Sequence, residues 1–204
     1  MINKYNVIEK TKEDAENKIL EQTETTLENL YVKVNKIETG SLIKKTKYEM
    51  EAIKKEDVKN YIKDYFNHLS YFSNIQIKSE IRESEDLYSI LLMSNNNPIL
   101  IGKEGRNLNS IQLLLRNSLQ AQTGFNIKVN VDASNYKSKK LKYLERDIKK
   151  IIDDVLKTKE DVKLDPMNSY ERRFIHNLVS NHENLKSESE GTGKERRVTI
   201  KYID

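Results

Sequence analysis

Apolar residues recur along this chain in short bursts, and their spacing switches between the two-residue period of a strand and the 3.6-residue period of a helix. Tyr5 and Val7 alternate with polar neighbours and predict a short strand. Thr11 then precedes a stretch in which Ala15, Ile19 and Leu20 share one helical face, and Thr11 with Asp14 reads as a capping box using Asp in place of Glu. Leu30, Val32, Val34 and Ile37 supply a strand with one slip in phase, and Tyr48, Met50 and Ala52 supply the next by strict alternation. Residues 1–53 are therefore expected to form a β-α-β-β module. Between its last two strands lies ETGSLIKKTK, read as a solvated hairpin loop in which Gly40 and Leu42 are followed by Lys44, Lys45 and Lys47. The competing reading is a basic tip that touches an acidic surface.

From residue 57 the helical spacing returns. DVKNYIKDYFNHLS places Val58, Tyr61, Ile62, Tyr65, Phe66 and Leu69 on one stripe, read as core, with His68 near the helix end. NIQIKSEIRES and DLYSILLMS read as an antiparallel pair joined by polar residues that include Glu85 and Asp86. Pro98, Ile99, Leu100 and Ile101 make a short apolar turn before Gly102, Lys103, Glu104 and Gly105. A long helix follows, with Leu108, Ile111, Leu115 and Leu119 marking its buried face, and Phe125, Ile127, Val129 and Val131 form a closing strand. Two glycines three apart usually mark no more than a turn. Here the order α-β-β-α-(GxxG)-α-β over residues 57–133 surrounds them. Glycine lets the chain turn sharply and lets a sugar–phosphate approach, while amides at the start of the next helix favour a phosphate. Lys103 and Arg106 add positive charge to that loop, and Glu104 works against it.

Residues 134–204 open with SNYKSKKLKYLERDIKKIIDDVLKT, an amphipathic helix whose stripe is Leu141, Leu144, Ile148, Ile151, Ile152 and Val155. In the next helix, MNSYERRFIHNLVSN, Phe174, Ile175, Leu178 and Val179 pack inward while Arg172 and His176 stand four apart on one face. A guanidinium there grips a phosphate and an imidazole hydrogen-bonds or stacks. The bland alternative is a surface helix with a partly buried histidine. The tail SESEGTGKERRVTIKY runs through a glycine turn into a strand, with Arg196 and Arg197 just before Val198, and one of this pair is expected to join the same patch.

Composition narrows the chemistry. The chain of 204 residues is 36% hydrophobic and 33% charged, on the polar side of a globular average, which favours several small modules over one large core. Cys 0 excludes disulfides and thiol nucleophiles, and His68, His176 and His182 are too few for a metal cage, so no metal or cofactor is expected. No window approaches the roughly 18 apolar residues of a membrane span, and MINKYNVIEK lacks a signal-peptide core, so a soluble cytoplasmic chain is expected. The net charge of +4 is uneven: residues 1–57 carry 11 basic and 12 acidic side chains, 58–133 carry 8 and 7, and 134–204 carry 17 and 13. That excess in the last third permits a nucleic-acid partner without demanding one.

The centre, with its helix order and glycine loop, resembles a bacterial, type II KH domain, in which the loop clamps the backbone of a single strand. LDPMNSYERRFIHNLV with SESEGTGKERRVTI resembles the R-three-H domain, a small binder of single-stranded nucleic acid named for its Arg-x-x-x-His spacing, here Arg172 and His176. The two in this order, behind a β-α-β-β module, resemble the Jag family, also called KhpB or EloR. The implied fold is α+β in three modules, 1–53, 57–133 and 134–204, and the implied RNA-binding residues are Gly102, Lys103, Glu104, Gly105, Arg106, Arg172, His176, Arg196 and Arg197. The resemblance further implies a cytoplasmic single-stranded RNA-binding regulator, with DNA left open, linked to cell elongation and division. Its implied partners are a small single-KH protein or a second copy, and the neighbourhood of a YidC-type membrane insertase. The alternative function is a protein scaffold for envelope machinery in which nucleic acid is secondary. An enzyme is not expected: Ser169, Glu171 and His176 crowd one region, but no nucleophile–base–orienter set can be assembled.

Overall fold

Thr11 caps the first helix, its Oγ1 accepting from the Asp14 amide at 3.1 Å, but the expected box is only half formed, since the Asp14 carboxylate takes the Thr11 hydroxyl at 2.7 Å in place of the Thr11 backbone N–H. The computed structural model describes residues 2–39, 45–84 and 87–203. Gly40, Leu42, Lys44, Glu85 and Asp86 lie outside these described residues, whereas Lys47 is exposed. The chain divides into two compact units, residues 1–134 and 135–204.

The first unit opens with β1 (Tyr5–Glu9), α1 (Lys12–Thr23), β2 (Leu30–Thr39) and β3 (Lys45–Lys54), an antiparallel sheet in the order β1-β3-β2. The helix α1 buries Ala15 and Ile19 against Val7, Leu30, Met50 and Ala52. Alternation places Ile53 on the opposite face, and Ile53 is also fully buried. On that side the Tyr31 and Phe125 rings meet at 6.2 Å, and Lys55 Nζ lies 5.6 Å from the Tyr31 centroid. Both faces of this small sheet are thus used, one by α1 and the other by residues of the following domain.

No linker separates β3 from α2 (Lys55–Ser73), for which the extended Lys54 is the cap. After α2 come β4 (Ile77–Ser84), β5 (Leu87–Ser94), α3 (Asn97–Ile101), α4 (Arg106–Thr123) and β6 (Lys128–Ala133). The sheet order is β4-β5-β6, with β4 antiparallel and β6 parallel to β5. Tyr88 is wholly buried, and its hydroxyl donates to the Lys55 carbonyl at 3.1 Å. On α2 the buried stripe is narrower than its spacing predicts. Val58, Ile62 and Phe66 are buried, while Tyr61, Tyr65 and Leu69 are half-buried at its margin. The Tyr61 hydroxyl shares a 2.6 Å hydrogen bond with Ser118 Oγ on α4, which explains a tyrosine at that margin. His68 is exposed, and the helix continues beyond it to Ser73.

The second unit contains α5 (Tyr136–Thr158), β7 (Val162–Lys163), α6 (Ser169–Val179), β8 (Leu185–Glu190) and β9 (Arg197–Tyr202). Its antiparallel sheet has the order β7-β9-β8. Ile148, Ile152 and Val155 of α5 and Ile175 and Val179 of α6 meet Val198 and Ile200 of β9 in one core. Apolar periodicity passed over the two-residue β7 and the longer β8. The β8 sequence LKSESE has one apolar residue, Leu185, and pairs along its whole length with β9.

Candidate nucleic-acid interface

The first cluster of predicted site residues lies between α3 and α4. Pro98 stands in the first turn of α3, and Gly102 ends it, its amide donating to the Pro98 carbonyl at 2.8 Å. Gly102 has φ 71° and ψ 176°, a conformation essentially closed to side chains, and Gly105 follows at φ 82°. Between them Glu104 also has a left-handed φ of 58°. Asn107 lies under the turn: its Nδ2 donates to the Ile99 carbonyl at 2.8 Å, and a Cβ added at Gly102 would sit 2.6 Å from its Cγ. This turn feeds directly into the first residue of α4, Arg106.

Charge at the turn is partly self-compensated. Arg106 Nη2 lies 3.3 Å from Glu104 Oε2, an exposed pair of small energetic weight. Lys103 is exposed and has no partner among the described residues. Arg106 is thus shared with the glutamate that sequence reasoning set against it, and Lys103 carries the uncompensated charge.

The second cluster is built on α6. Asn168 Oδ1 accepts from the Tyr170 amide at 2.9 Å and from the Glu171 amide at 3.0 Å, while Glu171 Oε2 accepts from the Asn168 amide at 3.1 Å. Glu171 also meets Lys140 of α5 at 2.6 Å. That carboxylate is engaged in capping and pairing, which removes it from the Ser169, Glu171 and His176 grouping.

Arg172 is half-buried and its Nη1 donates to the Met167 carbonyl at 2.8 Å, leaving the rest of the fork for another acceptor. The Met167 amide in turn donates to the Arg196 carbonyl at 3.1 Å, so one loop ties Arg172 to the start of β9. His176 has both ring nitrogens engaged: Nδ1 with Ser187 Oγ at 2.7 Å and Nε2 with Ser189 Oγ at 2.9 Å. The imidazole is therefore a fixed brace between α6 and β8, which no spacing rule anticipates because the serines lie 11 and 13 residues downstream.

The arginine pair is split. Ser189 stands opposite Val198 and Ser187 opposite Ile200, so these four share the helix-covered face. Alternation gives Arg196 that same side and sends Arg197 to the other, where Glu190 is its register partner. Arg197 bonds locally instead, Nε to the Glu195 carbonyl at 3.2 Å and Nη2 to Glu195 Oε2 at 3.1 Å. The structure thus brings Arg172, His176 and the Arg196 main chain together and leaves the Arg197 side chain out.

Around Arg197 the outer face of the sheet is a lattice of charge. Glu188 meets Lys201 at 2.6 Å and Lys186 at 2.9 Å, and Glu190 meets Lys163 at 3.0 Å. Hydrogen bonding from Lys201, then from Lys186, holds the Glu188 carboxyl down to about 2. A lowered carboxylate adds stability above its ordinary value of 4.5 and loses it as the pH falls toward 2. The melting temperature should accordingly fall with acidification through that window, and Glu188→Gln should flatten the fall. An identical pH profile in the variant would show that the lattice is energetically idle.

Among the described residues no helix is long and apolar enough to cross a membrane, and no group of His, Asp or Glu is arranged to hold a metal ion. Residues 59–132 match the KH domain of KhpA and KhpB, and residues 139–202 match the R-three-H domain. The molecule therefore contains a KH domain followed by an R-three-H domain. Over 198 residues it is 32% identical to RNA-binding protein KhpB of Clostridium symbiosum, a match covering 95% of this chain and 89% of that one. RNA-binding protein KhpB of Bacillus subtilis (strain 168) is 35% identical over 124 residues, 60% of each chain. That of Streptococcus pneumoniae serotype 2 is 30% identical over 101 residues, 50% of this chain and 31% of its own. The chain belongs to the KhpB family.

Proposed function

We propose that this protein is a single-stranded RNA-binding regulator that holds its ligand at two places. The turn of Gly102, Lys103, Glu104, Gly105 and Arg106 is the first, and the R-three-H face with Arg172, His176 and Arg196 is the second. The observation that carries the reading is the Gly102 main chain, held at φ 71° and ψ 176° and packed on Asn107 too closely for any side chain, in a turn that leads directly into α4, the kind of glycine turn at a helix start that a sugar–phosphate can approach. The name of the relatives, RNA-binding protein, agrees with it. The family further supports a cytoplasmic role in cell elongation and division, near a YidC-type insertase. Within that role the functional modules are 1–53, 57–133 and 134–204, the first supplying a protein contact. Leu113 and Leu114, exposed on α4, favour a protein partner at the KH domain, either a small single-KH protein or a second copy of this chain.

Two variants test the two places by fluorescence anisotropy on short single-stranded RNA. Replacing Lys103 and Glu104 together with Asp exchanges the free cation for an anion while both glycines stay, so affinity at low salt should fall with the melting temperature unchanged. Unaltered affinity would remove the loop from the interface. Arg172→Ala should cost more than Lys139→Ala, since a packed arginine presents a directed fork and an exposed helix lysine only adds field. It should also lower the slope of log K against log salt by about 0.7 for a single strand. Equal losses would point to diffuse attraction instead.

A further inference from the structure

On α6 the residues Arg172, His176 and Ser180 recur every four positions, a stripe that follows the helix past its last turn at Val179. Beyond His176 this stripe borders a cleft of about 390 Å³ between the C-terminal half of α6 and β8. Its apolar part is Val179 and Leu185, both otherwise buried, and its polar rim includes Asn177, Ser180 and Lys186. β8 is an edge strand, so on the side away from β9 its main-chain donors and acceptors have no strand partner. The Asn177 side-chain carboxamide has no partner among the described residues, and it offers both a donor and an acceptor.

These features select the kind of group that fits. The volume lies near the lower end of small-molecule sites, about 300–1,000 Å³, on the scale of one nucleotide. A phosphate is a poor occupant: the one lysine at the rim, Lys186, already meets Glu188 at 2.9 Å, and the floor is aliphatic. A neutral planar ring with hydrogen-bonding edges suits both the floor and the rim. Single strands are read in this way, by packing a splayed base against a side-chain surface and bonding its edge. The brace of His176 by Ser187 and Ser189 keeps the cleft wall in place, so the site is formed before its ligand arrives.

We propose that this cleft receives one unpaired nucleobase of the strand whose backbone lies on Arg172, and that Asn177 reads the edge of that base. The inference rests on the RNA-binding reading above and adds to it a base-selective subsite. It predicts that affinities for uniform A, C, G and U oligomers are unequal and that Asn177→Ala compresses the order, costing about tenfold on the preferred base, within the range for a single stacked and bonded base. Asn177 is exposed, so the variant should melt with the wild type. Methyl NMR of the full chain supplies the second readout. The Val179 and Leu185 signals should move when a short RNA is added and stay in place when an abasic oligomer of equal length, which offers phosphate without bases, is added. Should RNA bind while those methyls stay still and Asn177→Ala keeps every affinity, the subsite is wrong and the RNA-binding reading stands. Should wild-type protein bind no oligomer at low salt, both are wrong.

Discussion

Gly102→Ala is expected to cost about 1–3 kcal/mol of stability, the usual toll of holding a side chain in a glycine-only conformation, and to lower RNA affinity at least about tenfold. Two independent features of the turn set that expectation. The φ of 71° with ψ of 176° is unfavourable for alanine even in open space. Space is also lacking, because the new Cβ would lie 2.6 Å from Asn107 Cγ and 2.9 Å from both atoms of its amide. Relief requires Asn107 to swing away, which breaks its bond to the Ile99 carbonyl and frees the end of α3. The binding loss should therefore exceed anything the modest stability loss explains. Gly124→Ala is the matched control: it too has a left-handed φ, 80°, but nothing lies within 4 Å of its Cβ, and it caps the far end of α4. Chemical melts and anisotropy on both variants decide the matter, and equal RNA affinity in the two would leave the loop reading without support.

Leu108→Ala should destabilise the protein by about 2–5 kcal/mol, as removal of a fully enclosed leucine does. Leu108 is 1% exposed and shares the covered face of α4 with Leu115 and Leu119. Ile111 lies on the stripe drawn from the sequence but is half-buried in the structure, so Ile111→Ala should cost distinctly less. The reason is geometric. At about 100° per residue, Leu115 and Leu119 stand within about 20° of Leu108 around α4, whereas Ile111 stands about 60° away, at the margin of the buried stripe. Urea titrations that returned equal losses for the two variants would contradict this burial pattern. Both variants should retain RNA affinity under conditions where they remain folded, which separates them from Gly102→Ala.

Much of the fold was legible because it is locally encoded. The strand–helix–strand–strand opening follows from alternation at Tyr5 and Val7 and at Met50 and Ala52, and the Thr11 cap from hydroxyl and carboxyl chemistry three residues apart. The glycine turn was legible for the same reason, since its neighbours in space are its neighbours in sequence. The strand β8 was not. Half-buried Ser187 and Ser189 look like solvated tail residues until α6 and β9 are placed beside them. Ile53 was missed similarly. It breaks the alternation that ends with Ala52, and its burial comes from the sheet face opposite α1.

The sequence by itself determined where the candidate site residues stand: glycines at the turn before α4, and Arg172 and His176 on one helical face, because 3.6-residue spacing and the missing Cβ are properties of the chain alone. Only the tertiary structure decided how each is used. It commits both nitrogens of His176 to serines of β8, engages Glu171 in the cap and with Lys140, and sends Arg197 to the face away from α6. These outcomes depend on strand pairing and helix docking between residues far apart in sequence, and a hydrogen bond that spans such a distance exists only once the sheet has closed.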